Sequence, residues 1–162
     1  MMDFPSVESG IRQLYARYAD AVWRQDSAAL GACFTDDAVW KIAGRRAQGR
    51  AEIMALFEAS IAPSERVMFW SGIPLLDIGE GGVSGRVQVT ELIKRRDGQG
   101  VRTLGWYYER FAEAGGVWRL AWHHFDLYYY GAPDLSDAIT PWDDYGAPPA
   151  MPGPDAPTPE RR

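Results

Sequence analysis

Residues 105–131, GWYYERFAEAGGVWRLAWHHFDLYYYG, decide the fold. Gly115-Gly116 interrupts two aromatic-rich runs, each far longer than the usual strand of about 5–6 residues. Strands of that length twist and coil, so the sheet they build is strongly curved rather than flat. A third long run, VSGRVQVTELIKRR, precedes them from residue 83, and Asp97-Gly98-Gln99-Gly100 supplies the turn between it and the next. Further upstream, RVMFWSGIPLLDI reads as strand with Pro74 inside it, which demands a bulge or an edge position because proline has no N–H to donate.

The first half of the chain reads differently. Ile11, Leu14, Tyr15, Tyr18 and Val22 recur at helical spacing within 6–25. Asp26 precedes a short second helix as an N-cap, and AVWKIA follows as a strand after Asp36-Asp37. RAEIMALFEASIA, ended by Pro63, is a third helix with Ile53, Met54, Phe57 and Ile61 on one face. The expected architecture is therefore α+β: a strongly curved antiparallel sheet wrapped over three N-terminal helices, filling residues 1–130 as one domain. Residues 131–162 hold eight of the eleven prolines. They form a Pro-rich tail, expected to be disordered over 147–162. Leu135, Ile139, Trp142 and Tyr145 give 131–146 enough apolar surface to lie over the domain or a neighbouring subunit.

Composition narrows the function. The net charge of −5 comes with dispersed Lys and Arg, which argues against a nucleic-acid partner. No apolar run reaches the ~18 residues of a membrane helix. MMDFPSVESG lacks the basic-then-apolar pattern of a signal peptide, so a cytoplasmic location is expected. The single cysteine, Cys33, sits among apolar neighbours and reads as a small core residue. Neither a metal nor a cofactor is expected: His123 and His124 are adjacent on a strand, so they point to opposite faces and cannot share one ion.

The segments RYADAVWRQDSAALGACFTDDAVW, GRAEIMALF and YERFAEAGGVWRLAW, in this order, resemble the nuclear transport factor 2-like superfamily and its SnoaL-like branch over residues 8–130. The resemblance implies a cone-shaped fold with a cavity at its open end, commonly dimeric through the outer sheet face. It also implies a family of diverse activities, among them ketosteroid isomerases, dehydratases and polyketide cyclases, with non-catalytic members beside them. Tyr18 matches the helix-one tyrosine that such enzymes use as a hydrogen-bond donor. Other family positions are altered: Trp23 stands where dehydratases carry an aspartate, Ile42 where isomerases carry their base, Tyr107 where they carry a protonated aspartate, and Phe69 where dehydratases carry a histidine.

By that alignment, the cavity receives Tyr18, Tyr107, Glu109, His124 and Asp126, with His124 the leading candidate for proton transfer because imidazole titrates near neutrality. A one-residue slip in register would bring His123 inside instead. Glu109, on an otherwise apolar face, needs a partner, for which Arg86, Arg110 and Arg119 are the candidates. Trp23, Trp40, Phe57, Phe69, Leu120 and Trp122 are expected to supply the apolar walls. The expected partner is thus a small apolar, oxygen-bearing molecule of aromatic, polyketide or steroid-like type. A cofactor-free lyase, isomerase or cyclase is one reading; a ligand-binding protein or auxiliary subunit is the other.

Overall fold

The computed structural model describes residues 3–139, 151–158 and 160. Three helices, α1 (Phe4–Arg24), α2 (Ser27–Gly31) and α3 (Arg50–Ile61), accompany seven strands: β1 (Phe34–Ile42), β2 (Arg45–Gln48), β3 (Ser64–Ser71), β4 (Leu75–Gly79), β5 (Gly82–Arg95), β6 (Gly100–Ala114) and β7 (Val117–Gly131). Helix α1 starts where the Asp3 carboxylate accepts from Ser6 N–H, with Pro5 in its first turn. It stops at Gln25, whose left-handed φ of 53° turns its N–H back onto Ala21 and Val22 carbonyls. Between these caps Val7, Ile11, Leu14, Tyr15, Tyr18, Ala21 and Val22 are buried. Each large apolar side chain among them contributes about 1.5–3 kcal/mol by leaving water. Asp26 caps α2 through Ala29 N–H at 2.9 Å.

The sheet is mixed, curved and unclosed, in the order β2-β1-β7-β6-β5-β3, with β4 also on β5. Strands β3 and β4 run along successive halves of β5, and the gap between them is Gly72-Ile73-Pro74, where the missing proline N–H leaves no ladder bond to lose. The one departure from an antiparallel meander is β1, which lies parallel to β7. Strand β1 also begins earlier than expected, at Phe34, so Asp36-Asp37 lie within it, across a register shift between Phe34 and Val39.

Two β-bulges in β7 fix what its side chains face. Against β6, Phe111 pairs with Leu120 but Arg110 pairs with Trp122, so Ala121 is an extra residue; Gly105 pairs with Leu127 and Leu104 with Tyr129, so Tyr128 is a second. Trp118 and Leu120 point to the concave, helix-covered side. After the first bulge His123, Phe125 and Leu127 take over that side, and Trp122, His124 and Asp126 turn to the convex side.

The Pro-rich tail is placed in part. Residues 151–158 carry no helix or strand and contact β1 and the β1–β2 turn. Leu135 and Ile139 are exposed, and Trp142 and Tyr145 lie outside the described residues. No helix among the described residues is long and apolar enough to cross a membrane.

Candidate functional site

Glu109 on β6 and His123 on β7 sit directly opposite one another on the concave side. Both are sealed from solvent, at 0 % and 1 % exposure. The His123 Nδ1 lies 2.7 Å from Glu109 Oε1, off the line of an in-plane ring N–H. The other carboxyl oxygen, Oε2, accepts from the Tyr15 hydroxyl on α1. Burial drives the proton affinities of this pair apart in favour of neutrality: Glu109 is pushed well above the ordinary carboxyl range, and His123 well below the ordinary imidazole range, with His124 lowering it further. Both groups are thus held neutral, and they meet in close contact rather than in a hydrogen bond.

Around the imidazole stands a cage of rings. Tyr107 stacks on it with centroids 3.8 Å apart and planes 20° apart. Tyr18, Phe34 and Trp40 surround it at 5.4, 5.6 and 5.8 Å. The Nε2 atom inside this cage is buried and has no hydrogen-bond partner among the described residues. Burial, and then the Tyr107 hydroxyl, hold the Tyr18 phenol protonated far above its usual range.

Toward the outside, Tyr15 lines a pocket of about 380 Å³ between α1 and β3. Arg12, Tyr15 and Trp23 form its helical wall; Phe69, Trp70 and Ile73 form the other. The Trp23 indole N–H donates to the Phe69 carbonyl at 2.8 Å and meets Trp70 edge-on, tying the end of α1 to β3. Trp23 remains 44 % exposed, so it is a rim residue rather than a buried wall.

Several sequence expectations are corrected here. His124, Asp126 and Trp122 are on the convex side: His124 stacks on Trp122 at 5.2 Å and meets Tyr108 edge-on. Burial, then the nearby Lys41, lower His124 to about 4. The extra residue at Ala121 is the physical cause. None of the three candidate arginines answers Glu109: Arg110 lies over the convex Trp122 ring, and Arg86 and Arg119 pair across the strands with the outward-facing Tyr108 and Ala112. Tyr18, Tyr107, Trp40, Phe69 and Leu120 do lie on the concave side, and Phe57 is buried on α3. Sequence reasoning places Tyr15 in the core and gives it no further role. Its signal is present nonetheless, since a buried phenol on the helix face and an orphan carboxyl on the facing sheet each require a partner. Hydropathy also favours His123: its set with Phe125 and Leu127 is more apolar than His124's set with Trp122 and Asp126.

A SnoaL-like domain family matches residues 6–122. The chain belongs to this family. Its fold recurs in solved structures of low identity. A structure described as a putative scytalone dehydratase from Novosphingobium aromaticivorans DSM 12444 superposes with a TM-score of 0.75 at 16 % identity, covering 89 % of this SnoaL-like chain and 99 % of that one. Hexachlorocyclohexane dehydrochlorinase LinA-type3 from Novosphingobium barchaimii LL02 gives 0.72 at 17 %, covering 85 % and 97 %. Aln2 from a Streptomyces species gives 0.68 at 18 %, covering 78 % and 94 %. At these identities the likeness establishes the shared fold. No curated protein matches the sequence.

Proposed function

We propose that this SnoaL-like protein is a cofactor-independent acid–base catalyst of the lyase, isomerase or cyclase class, acting on an apolar, oxygen-bearing small molecule held between α1 and β3. The observation that carries this reading is the array Tyr15–Glu109–His123, in which a residue of the pocket wall donates to a buried carboxyl group that lies 2.7 Å from a buried imidazole. Reactions of this class begin when a proton leaves a carbon beside a carbonyl. An isomerase returns a proton to another carbon. A lyase breaks a C–O bond as water departs with the arriving proton, and a cyclase forms a C–C bond by attack on a carbonyl carbon whose oxygen takes the proton. Tyr15 is the group that meets the ligand. As Tyr15 gives its proton to the ligand oxygen, Glu109, kept neutral by burial, can return one to the tyrosinate. The proton that leaves the ligand carbon passes to water in the pocket and restores the carboxyl through Tyr15, and an Nδ1–H on His123 would stabilise the carboxylate in between. An aromatic rim of Trp23 and Trp70 suits a flat apolar substrate.

The test is proton exchange at carbon. Aromatic and polyketide-like ketones incubated with the protein in D₂O are expected to lose α-proton NMR signals or to eliminate water. Tyr15→Phe and Glu109→Gln are each expected to slow this by about 10²–10⁴-fold with the fold intact. Undiminished rates in both variants would remove the catalytic reading.

A second reading, binding without turnover, is favoured by the Tyr107 ring stacked against His123 at 3.8 Å, which leaves no gap for a ligand on that face. It predicts saturable quenching of tryptophan fluorescence by such ketones, with the ligand recovered undeuterated and unchanged.

A further inference from the structure

Lys41 is a charged residue on the convex side of β1, yet its exposure is 7 %. Its ammonium donates to two carbonyls of the C-terminal segment, that of Pro154 at 3.1 Å and that of Ala156. Two residues further along the tail, the Thr158 hydroxyl accepts from Gly44 N–H in the β1–β2 turn at 2.7 Å. Thr158 is itself 6 % exposed. The docked piece is a preformed shape: Ala156 N–H closes onto the Gly153 carbonyl at 3.0 Å, a β-turn with Pro154 and Asp155 at its centre. Proline at that position fixes φ in advance, so little conformational freedom remains to be lost on docking. Pro152, Pro154 and Pro157 have no N–H, so this segment cannot extend the sheet as another strand beyond β2. It presents carbonyls instead, and a lysine ammonium, with three donors and no acceptor, is the matching chemistry.

We propose that the convex face around Lys41 and Gly44 is a recognition site for a proline turn, and that residues 151–158 of this same chain are its resident occupant. A buried ammonium is costly without acceptors. The carbonyls of Pro154 and Ala156 are therefore the reason that Lys41 is tolerated there, and Lys41 is the reason that a Pro-rich segment has one docked conformation.

A nitroxide at position 153 tests this in the full chain. A Cβ at Gly153 meets nothing within 4 Å, so Gly153→Cys accepts the label without disturbing the seat. The native Cys33 is buried and its thiol is pushed up to about 11, so the introduced thiol is the one that reacts. The expected spectrum is immobilised, and Lys41→Met converts most of it to a fast-tumbling component. Thr158→Val, which removes only the Gly44 bond, gives a smaller increase and serves if Lys41→Met does not fold. A fast-tumbling label in the otherwise native chain overturns the proposal, as does immobilisation unaffected by both substitutions. Dilution of the labelled chain identifies the occupant: an immobile fraction independent of concentration means that each chain binds its own tail, whereas one that falls on dilution means docking between copies and overturns the assignment to the same chain.

Discussion

Tyr15 is the residue at which solvent and the buried acid meet, because it lines the pocket and its hydroxyl donates to Glu109. Its removal has a structural cost separate from chemistry. In Tyr15→Phe the Glu109 Oε2 loses its donor inside a site with no exposure, which costs about 1–3 kcal/mol. Urea unfolding should show that loss, with the slope m unchanged. Glu109→Gln keeps the shape and a hydrogen-bond acceptor for Tyr15, so it should cost less stability than Tyr15→Phe while abolishing proton delivery. If both variants lose stability equally and neither affects ligand chemistry, Glu109 is a packing residue. Some of this was legible in the sequence. Glu109 stood out as a carboxyl among apolar neighbours in need of a partner, but which groups would supply one depended on strand faces that residue types alone did not reveal.

Those faces are set by β7. In WRLAWHHFDLYYY nine of the thirteen residues are aromatic or apolar and they fall on both faces, so alternation carries little contrast, and the bulges at Ala121 and Tyr128 leave no obvious mark. This is why the paired histidines were legible as a choice but not as an answer. The long strands, their turns and the break at Pro74 were legible because glycine pairs and proline act through backbone chemistry independent of tertiary context. The β1–β7 parallel pairing was not, since nothing local marks a partner about 80 residues away. The same strand pair offers a packing test. A Cβ at Gly105 would stand 2.5 Å from the Phe125 ring and from the Asp126 carbonyl, so Gly105→Ala forces β6 and β7 apart. It should destabilise by about 1–3 kcal/mol. Gly79→Ala, with nothing within 4 Å, should stay within about 0.5 kcal/mol in the same denaturant titration. Equal effects would contradict the close approach of the two strands at Gly105.

For the molecule as a whole, the buried titratable groups set a stability optimum. His123 and His124 bind protons more weakly folded than unfolded, so stability falls as pH drops below the unfolded imidazole value of about 6.5. Glu109, and to the same sign Asp126, bind protons more strongly folded, so stability is lost as pH rises above the unfolded carboxyl value of about 4 until the folded acid ionises. Above about pH 6.5 the carboxyl effect remains, with a slope of up to ~1.4 kcal/mol per pH unit per proton, and the buried Cys33 thiol, pushed up to about 11, adds a loss of the same sign above about pH 8.5. Chemical unfolding from pH 4.5 to 9 should therefore peak near pH 6.5, and Glu109→Gln should flatten the alkaline side; a flat wild-type alkaline side would refute the neutral Glu109. One consequence of the parallel pairing reaches further. Trp40 pairs with His123 and Lys41 with His124, so the caged imidazole and the tail's anchor are back to back, separated by the thickness of one backbone. Whatever loosens the anchor outside is passed through a single peptide bond to an indole 5.8 Å from the imidazole, making Trp40 emission an optical witness, from within the core, of events on the opposite surface.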